Sequence, residues 1–254
     1  MRVIAIASQK GGTGKTTLSG HLAVQAGVAG AGPVALVDTD PQGSLSEWWN
    51  ARQSQSPLFV KTKVDYLMSD LEELRGRGIK LVFVDTPPAV TEIIEKIVGH
   101  ADLVVIPVRP SPHDLRAVGA TLDIVETKDK PLIFAVNGAT PRAQITGQAA
   151  VALSQHGTVA PVTIHQRTDF ATSMIDGRAV VETRPESRSA SEISELWQYL
   201  ATRLGKVDRR CEQIPFEGLD RRDPNRGSTY EEIMQPTVFG RRGSNPRPRI
   251  EEAV

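Results

Sequence analysis

Apolar residues in this chain fall into short, almost continuous runs, separated by longer stretches where they recur every three or four positions. The runs RVIAIAS (2–8), PVALVD (33–38), IKLVFVD (79–85), ADLVVIPV (101–108), KPLIFAVN (130–137) and APVTI (160–164) predict strands. Several are apolar throughout, the pattern of a parallel sheet covered on both faces. Helical periodicity predicts helices at roughly 15–29, 43–54, 64–77, 90–99, 112–127, 142–155, 168–176 and 188–204. Strand–helix alternation of this kind points to an α/β fold, doubly wound, with a mostly parallel sheet, helices on both faces and ligands at the carboxyl ends of the strands.

After Gly205 the pattern is lost. Residues 205–254 hold Pro215, Pro224, Pro236, Pro246 and Pro248 and show no sustained period. The expected organisation is a single domain over 1–204 and a poorly ordered tail over 205–254. Its apolar spots IPF (214–216) and PTVF (236–239) could dock on the core or on a partner. The longest apolar run, 101–108, is far shorter than a membrane span. Thirty Lys and Arg balance thirty Asp and Glu, so any nucleic-acid contact must come from a local patch. The one cysteine, Cys211, excludes an intramolecular disulfide framework and fits a reducing cytoplasm.

The candidate chemistry begins at IASQKGGTGKTT (6–17), which leaves the first strand and opens the first helix. Backbone N–H groups at Gly11, Gly12, Thr13 and Gly14, with the helix N-terminus, form an anion-binding concavity. Lys15 can reach the β- and γ-phosphates of a nucleotide, and the Thr16 hydroxyl, followed by Thr17, can ligate Mg2+. The common G-x-x-x-x-G-K-[ST] pattern fails at Gln9, but K-G-G-x-G-K-T is met in full. Lys10 is surplus to a loop that only grips phosphate.

Carboxylates end two further strands. VDTDPQGS (37–44) carries Asp38 and Asp40, and VFVDTPP (82–88) carries Asp85. Asp85 stands where a P-loop protein places the carboxylate that holds Mg2+ through water. Asp38 is the candidate for the metal's water shell and Asp40 for orienting the attacking water. Strand-end aspartates also cap helices and start turns. The five histidines have no metal-ligand spacing, and Trp48 and Trp49 suit core or dimer packing.

KGGTGKTT, LVDTDPQGS, VFVDTPP and VIPVRPSPHDL together resemble the ParA-type partition ATPases, the deviant Walker A group that also includes MinD. The resemblance runs from Met1 to about Leu204, and TIHQRTDFATSMIDGRAV is similar to the small members without an N-terminal helix-turn-helix. It implies that Lys10 is the signature lysine, which crosses to the partner's phosphates in an ATP-bound homodimer. A cation supplied in trans would stabilise charge as the transition state develops it. The resemblance also implies that Asn137 contacts adenine, although a strand-end asparagine is equally a turn former. It places Arg142, Arg167 and Arg178 near a DNA-contacting edge, where solvated surface is the competing reading. No membrane contact is expected, because prolines break the tail where MinD-like members carry an amphipathic helix. The wider group also includes the nitrogenase iron protein, whose branch needs cluster cysteines; Cys211 lies outside the resembling region, which excludes that branch.

The function this resemblance implies is that of a cytoplasmic, nucleoid-associated ATPase using ATP and Mg2+. Its dimer would bind nonspecific DNA and be stimulated by a cargo-bound adaptor of ParB type, in plasmid or chromosome partition. Alternatives are the positioning of a protein cargo, a P-loop synthetase or kinase acting on a small molecule, and a nucleotide-gated interaction module.

Overall fold

The structure, a computed structural model, describes residues 1–88 and 91–211, with side chains through residue 205. Seven parallel strands form one sheet: β1 (Arg2–Ile6), β2 (Val34–Asp38), β3 (Leu58–Lys61), β4 (Leu81–Asp85), β5 (Leu103–Val108), β6 (Leu132–Ala139) and β7 (Ile164–His165). Their spatial order is β3-β2-β4-β1-β5-β6-β7. The helices are α1 (Lys15–Val28), α2 (Ser44–Ala51), α3 (Leu67–Gly76), α4 (Thr91–His100), α5 (Pro112–Thr127), α6 (Gln144–Ser154), α7 (Thr168–Met174), α8 (Val180–Thr183) and α9 (Arg188–Cys211).

Alternation along each strand sends side chains into two cores. Ile4 and Ile6 of β1 join Leu18 and Leu22 of α1 and Leu196 and Leu200 of α9 on one face. Val3 and Ala5 join Leu71, Ile94, Ile97 and Val125 on the other. Both faces of the sheet are therefore dry, which is why its strands read as unbroken apolar runs. β1 lies between β4 and β5, so the chain winds outward in both directions from it. The crevice at such a reversal is where ligands bind in open α/β sheets.

Register aligns the chemistry. Ile6 of β1 pairs with Asp85 of β4, and Asp38 of β2 pairs with the same Asp85. The strand that opens the glycine loop and both strand-end aspartates thus finish at one level.

Four elements differ from the sequence pattern, one of them the four-residue α8, which has no period to read. β3 is a four-residue edge strand directly after Pro57, too short to show a period, and it fills the gap between two expected helices. The strand expected at 160–164 is split into a bridge at Val159 opposite Phe134 and the two-residue β7. Pro161 falls between them and has no N–H to give a ladder. α9 continues through Gly205 to Cys211, since one glycine costs a long amphipathic helix only about 1 kcal/mol. The remaining tail, with IPF (214–216) and PTVF (236–239), lies outside the described residues. Among the described residues no helix is long and apolar enough to cross a membrane.

Candidate active site

The glycine loop adopts the backbone its residues permit. Gly12 and Gly14 have φ of +75° and +91°, a region that residues with a Cβ rarely enter. Gly14 also has no room for a side chain, because a Cβ there would lie 2.3 Å from Asn137 Nδ2. That amide donates to the Thr13 carbonyl at 2.7 Å and braces the loop against the end of β6. The Lys15 ammonium folds back to donate to the Lys10 carbonyl at 3.1 Å.

Asp85 is the centre of the cluster. It is buried and accepts from the Thr16 hydroxyl at 2.8 Å and the Ser19 hydroxyl at 3.0 Å. Burial pushes its carboxyl up to about 7, helped by the charge of Asp38 and opposed by the two hydroxyls and Lys15. Burial also lowers the Lys15 ammonium, opposed by Asp85 and Asp40. The site therefore favours an added cation, which would hold Asp85 ionised.

The donor set fits a phosphate ester with Mg2+. Thr16 and Asp85 supply hard oxygens, and an octahedral Mg2+ takes its other ligands from phosphate and water. No group of three or more His, Cys, Asp or Glu among the described residues could hold a metal without such help. The loop's N–H groups and Lys15 would hold the phosphates. The Thr13 hydroxyl is buried in the loop with no protein partner among the described residues. Mg2+ in such a site would neutralise phosphate charge.

Asp38 and Asp40 separate in role. Asp38 is fully buried; one oxygen accepts from the Asp40 N–H at 3.0 Å, the other from the Ser46 N–H at 3.0 Å and hydroxyl at 2.6 Å. Both oxygens brace the turn into α2, so Asp85, not Asp38, faces Thr16. Asp40 is partly exposed and uses one oxygen to accept from the Gln42 N–H at 2.9 Å.

Lys10 is held within its own chain. Its ammonium lies 3.0 Å from the Asp114 carboxylate, which also accepts from the Ser111 hydroxyl at the start of α5. Ser19 and Ser46 lie outside every motif, and Ser111 and Asp114 fall within VIPVRPSPHDL without that stretch pointing to a role for them.

The three arginines expected on a DNA edge occupy different settings. Arg142 is exposed, with φ +63°. Arg178 is exposed and pairs with Asp176 at 2.6 Å. Arg167 departs from the expectation of an open surface cation: Glu192 grips it through both terminal nitrogens, at 2.5 and 2.7 Å. It lines a cavity of about 220 Å³ beside the glycine loop, with Gly14, Thr17, Asn137 and Phe170. Trp48 and Trp49 are buried and donate to the Arg178 and Pro57 carbonyls, which makes them core residues.

Residues 4–207 match the model of the CobQ/CobB/MinD/ParA nucleotide binding domain. The chain belongs to this family. It is an ATPase of that family, whose domain binds nucleotide. It is 30% identical over 200 residues to the maintenance of carboxysome distribution protein A of Halothiobacillus neapolitanus, covering 74% of this chain and 91% of that protein. It is 28% identical over 134 residues to protein ParA of Rhizobium radiobacter, covering 52% and 60%. Among solved structures it is similar in fold to the septum site-determining protein MinD of Pyrococcus horikoshii complexed with Mg-ADP. That likeness has a TM-score of 0.66 at 17% identity and covers 81% of this chain and 98% of that one.

Proposed function

We propose that this ATPase dimerises on ATP, binds DNA without sequence preference, and positions a protein cargo through an adaptor that stimulates hydrolysis. The observation that carries the cargo reading is the 30% identity to a carboxysome distribution protein, spanning 91% of that relative. The similarity to protein ParA favours a second reading, plasmid or chromosome partition, but it extends over only 60% of that protein.

In the proposed cycle the glycine loop and Lys15 hold the phosphates, Thr16 and Asp85 hold Mg2+, and Asp40 orients the attacking water. Lys10 leaves Asp114 and supplies its charge to the partner's site. Such a cation is needed only where negative charge grows during transfer, so it couples turnover to dimerisation. Asn137 reaches adenine from the end of β6.

Deleting the gene in the source organism separates the readings. Cargo positioning predicts that a protein assembly loses its even spacing while plasmids and chromosomes are retained at wild-type frequency. Loss of a plasmid or production of anucleate cells, with protein assemblies evenly spaced, would overturn it in favour of partition.

A further inference from the structure

Glu192 lies one turn into α9, remote in sequence from every motif, yet it makes four close contacts beside the nucleotide loop. One oxygen accepts from Arg167 Nη2 at 2.7 Å and lies 2.7 Å from His165 Nδ1. The other accepts from Arg167 Nη1 at 2.5 Å and from the His165 backbone N–H at 3.0 Å. The carboxylate side chain is 13% exposed and that of Arg167 21%. His165 and Arg167 both line the cavity bounded by Gly14, Thr17 and Asn137. At about 220 Å³ this space is below the range of drug-sized pockets and suits one heterocycle, not a whole nucleotide. Leu18, Phe170 and Met174 give it an apolar side, and the guanidinium of Arg167 a planar cationic one.

A guanidinium stacks on aromatic faces, but a free arginine loses rotamer entropy when it is held in one pose. The two-pronged grip of Glu192 meets that cost before any ligand arrives, and its bond to the His165 N–H fixes the loop that carries Arg167. We propose that Glu192 is a positioning residue for the nucleobase, holding Arg167 and His165 as one wall of the base pocket and setting ATP affinity through them. The inference rests on the glycine loop being an ATP site. It assigns Arg167 to nucleotide binding and ties the base pocket to α9, which packs along α1 in the same core.

The test compares Mg·ATP with Mg·tripolyphosphate, which presents phosphates and no base, by equilibrium binding to the full chain. Glu192→Gln keeps the shape and removes the charge that pairs with Arg167. It should weaken ATP binding by about tenfold while leaving tripolyphosphate binding within about twofold of wild type. Arg167→Ala removes the wall without changing the sequence of α9 and should give the same split, and both variants should raise KM for ATP more than they lower kcat. If wild type prefers ATP to tripolyphosphate and both variants keep that preference, the positioning role is overturned. Parallel loss of both ligands would also overturn it, since that marks a general defect of the loop. Wild type that binds tripolyphosphate as well as ATP would instead overturn the base pocket and the ATP reading with it.

Discussion

Gly14 carries two independent constraints, a φ of +91° and the Asn137 amide where a Cβ would stand. Gly14→Ala must displace that amide, which frees the Thr13 carbonyl and loosens the loop. ATP binding should fall at least tenfold by calorimetry, with a cost in stability of about 1–3 kcal/mol; unchanged affinity would show that the brace is dispensable. Lys10 presents a different case, since its ammonium meets Asp114 of its own chain at 3.0 Å and only its backbone carbonyl, which a side-chain substitution keeps, meets Lys15. Lys10→Ala should therefore bind ATP near wild-type affinity yet fail to dimerise or turn over, as sedimentation with ATP and a phosphate-release assay would record. A variant that dimerises and hydrolyses normally would make Lys10 a surface residue that merely caps Asp114. The glycine loop was legible in the sequence, because Gly12 and Gly14 must supply positive φ at a fixed spacing between strand and helix. Asp38 was legible as a strand-end carboxylate but its protein partners were not, since such a carboxylate looks the same in sequence whether or not it meets the N–H of Ser46. Glu192 was not legible at all. Its partners come from β7 and the following loop, and only the tertiary fold brings them together.

At the scale of elements, the long strands and helices followed from their periods, whereas β3, β7 and α8 are too short to have one. The helices on the α1 face also enclose a polar group that no pattern marks. His21 of α1 is buried against Phe170 of α7, its Nδ1 accepts from the Val180 N–H of α8 at 3.2 Å, and its Nε2 has no partner among the described residues. Burial pulls the imidazole down to about 3 from 6.5. Above pH 6.5 it is neutral in both the folded and unfolded chain and costs nothing on titration. Between 6.5 and 3 only the unfolded chain takes up the proton, so stability falls as the pH falls, by about 1.4 kcal/mol per unit. Urea unfolding should lose about 2 kcal/mol from this group between pH 7 and pH 5. His21→Leu should remove that part of the slope, at the cost of an unpaired Val180 N–H at every pH. An identical pH dependence in the two proteins would mean that His21 is protonated in the fold.

The molecule as a whole carries no net charge, with thirty cations against thirty anions, so net charge does not draw DNA to a monomer. In the DNA-binding reading proposed above, contact must come from a few local arginines, and two copies joined by ATP would present twice as many on one duplex. On the proposed function, DNA affinity should appear only with ATP and fall steeply with salt, the slope of log K against log [salt] being about 0.9 per phosphate neutralised. Which arginines supply the contact divides the folded domain from the tail. Arg167 is committed to Glu192 and Arg178 is paired with Asp176, while Arg142 stands exposed at the turn before α6. The tail offers Arg221-Arg222 and Arg241-Arg242, with acidic residues interspersed. Because α9 runs to Cys211, the informative truncation ends there; a cut at Gly205 would shorten the helix and confuse lost DNA contact with lost packing. The chain truncated after Cys211 should keep ATP-driven dimerisation and most of its DNA affinity, with an unchanged salt slope. Arg142→Glu in the full chain should weaken DNA binding and reduce the slope while leaving dimerisation intact. If truncation abolishes binding and Arg142→Glu does not, the tail holds the DNA and the folded domain serves only to bring two tails together.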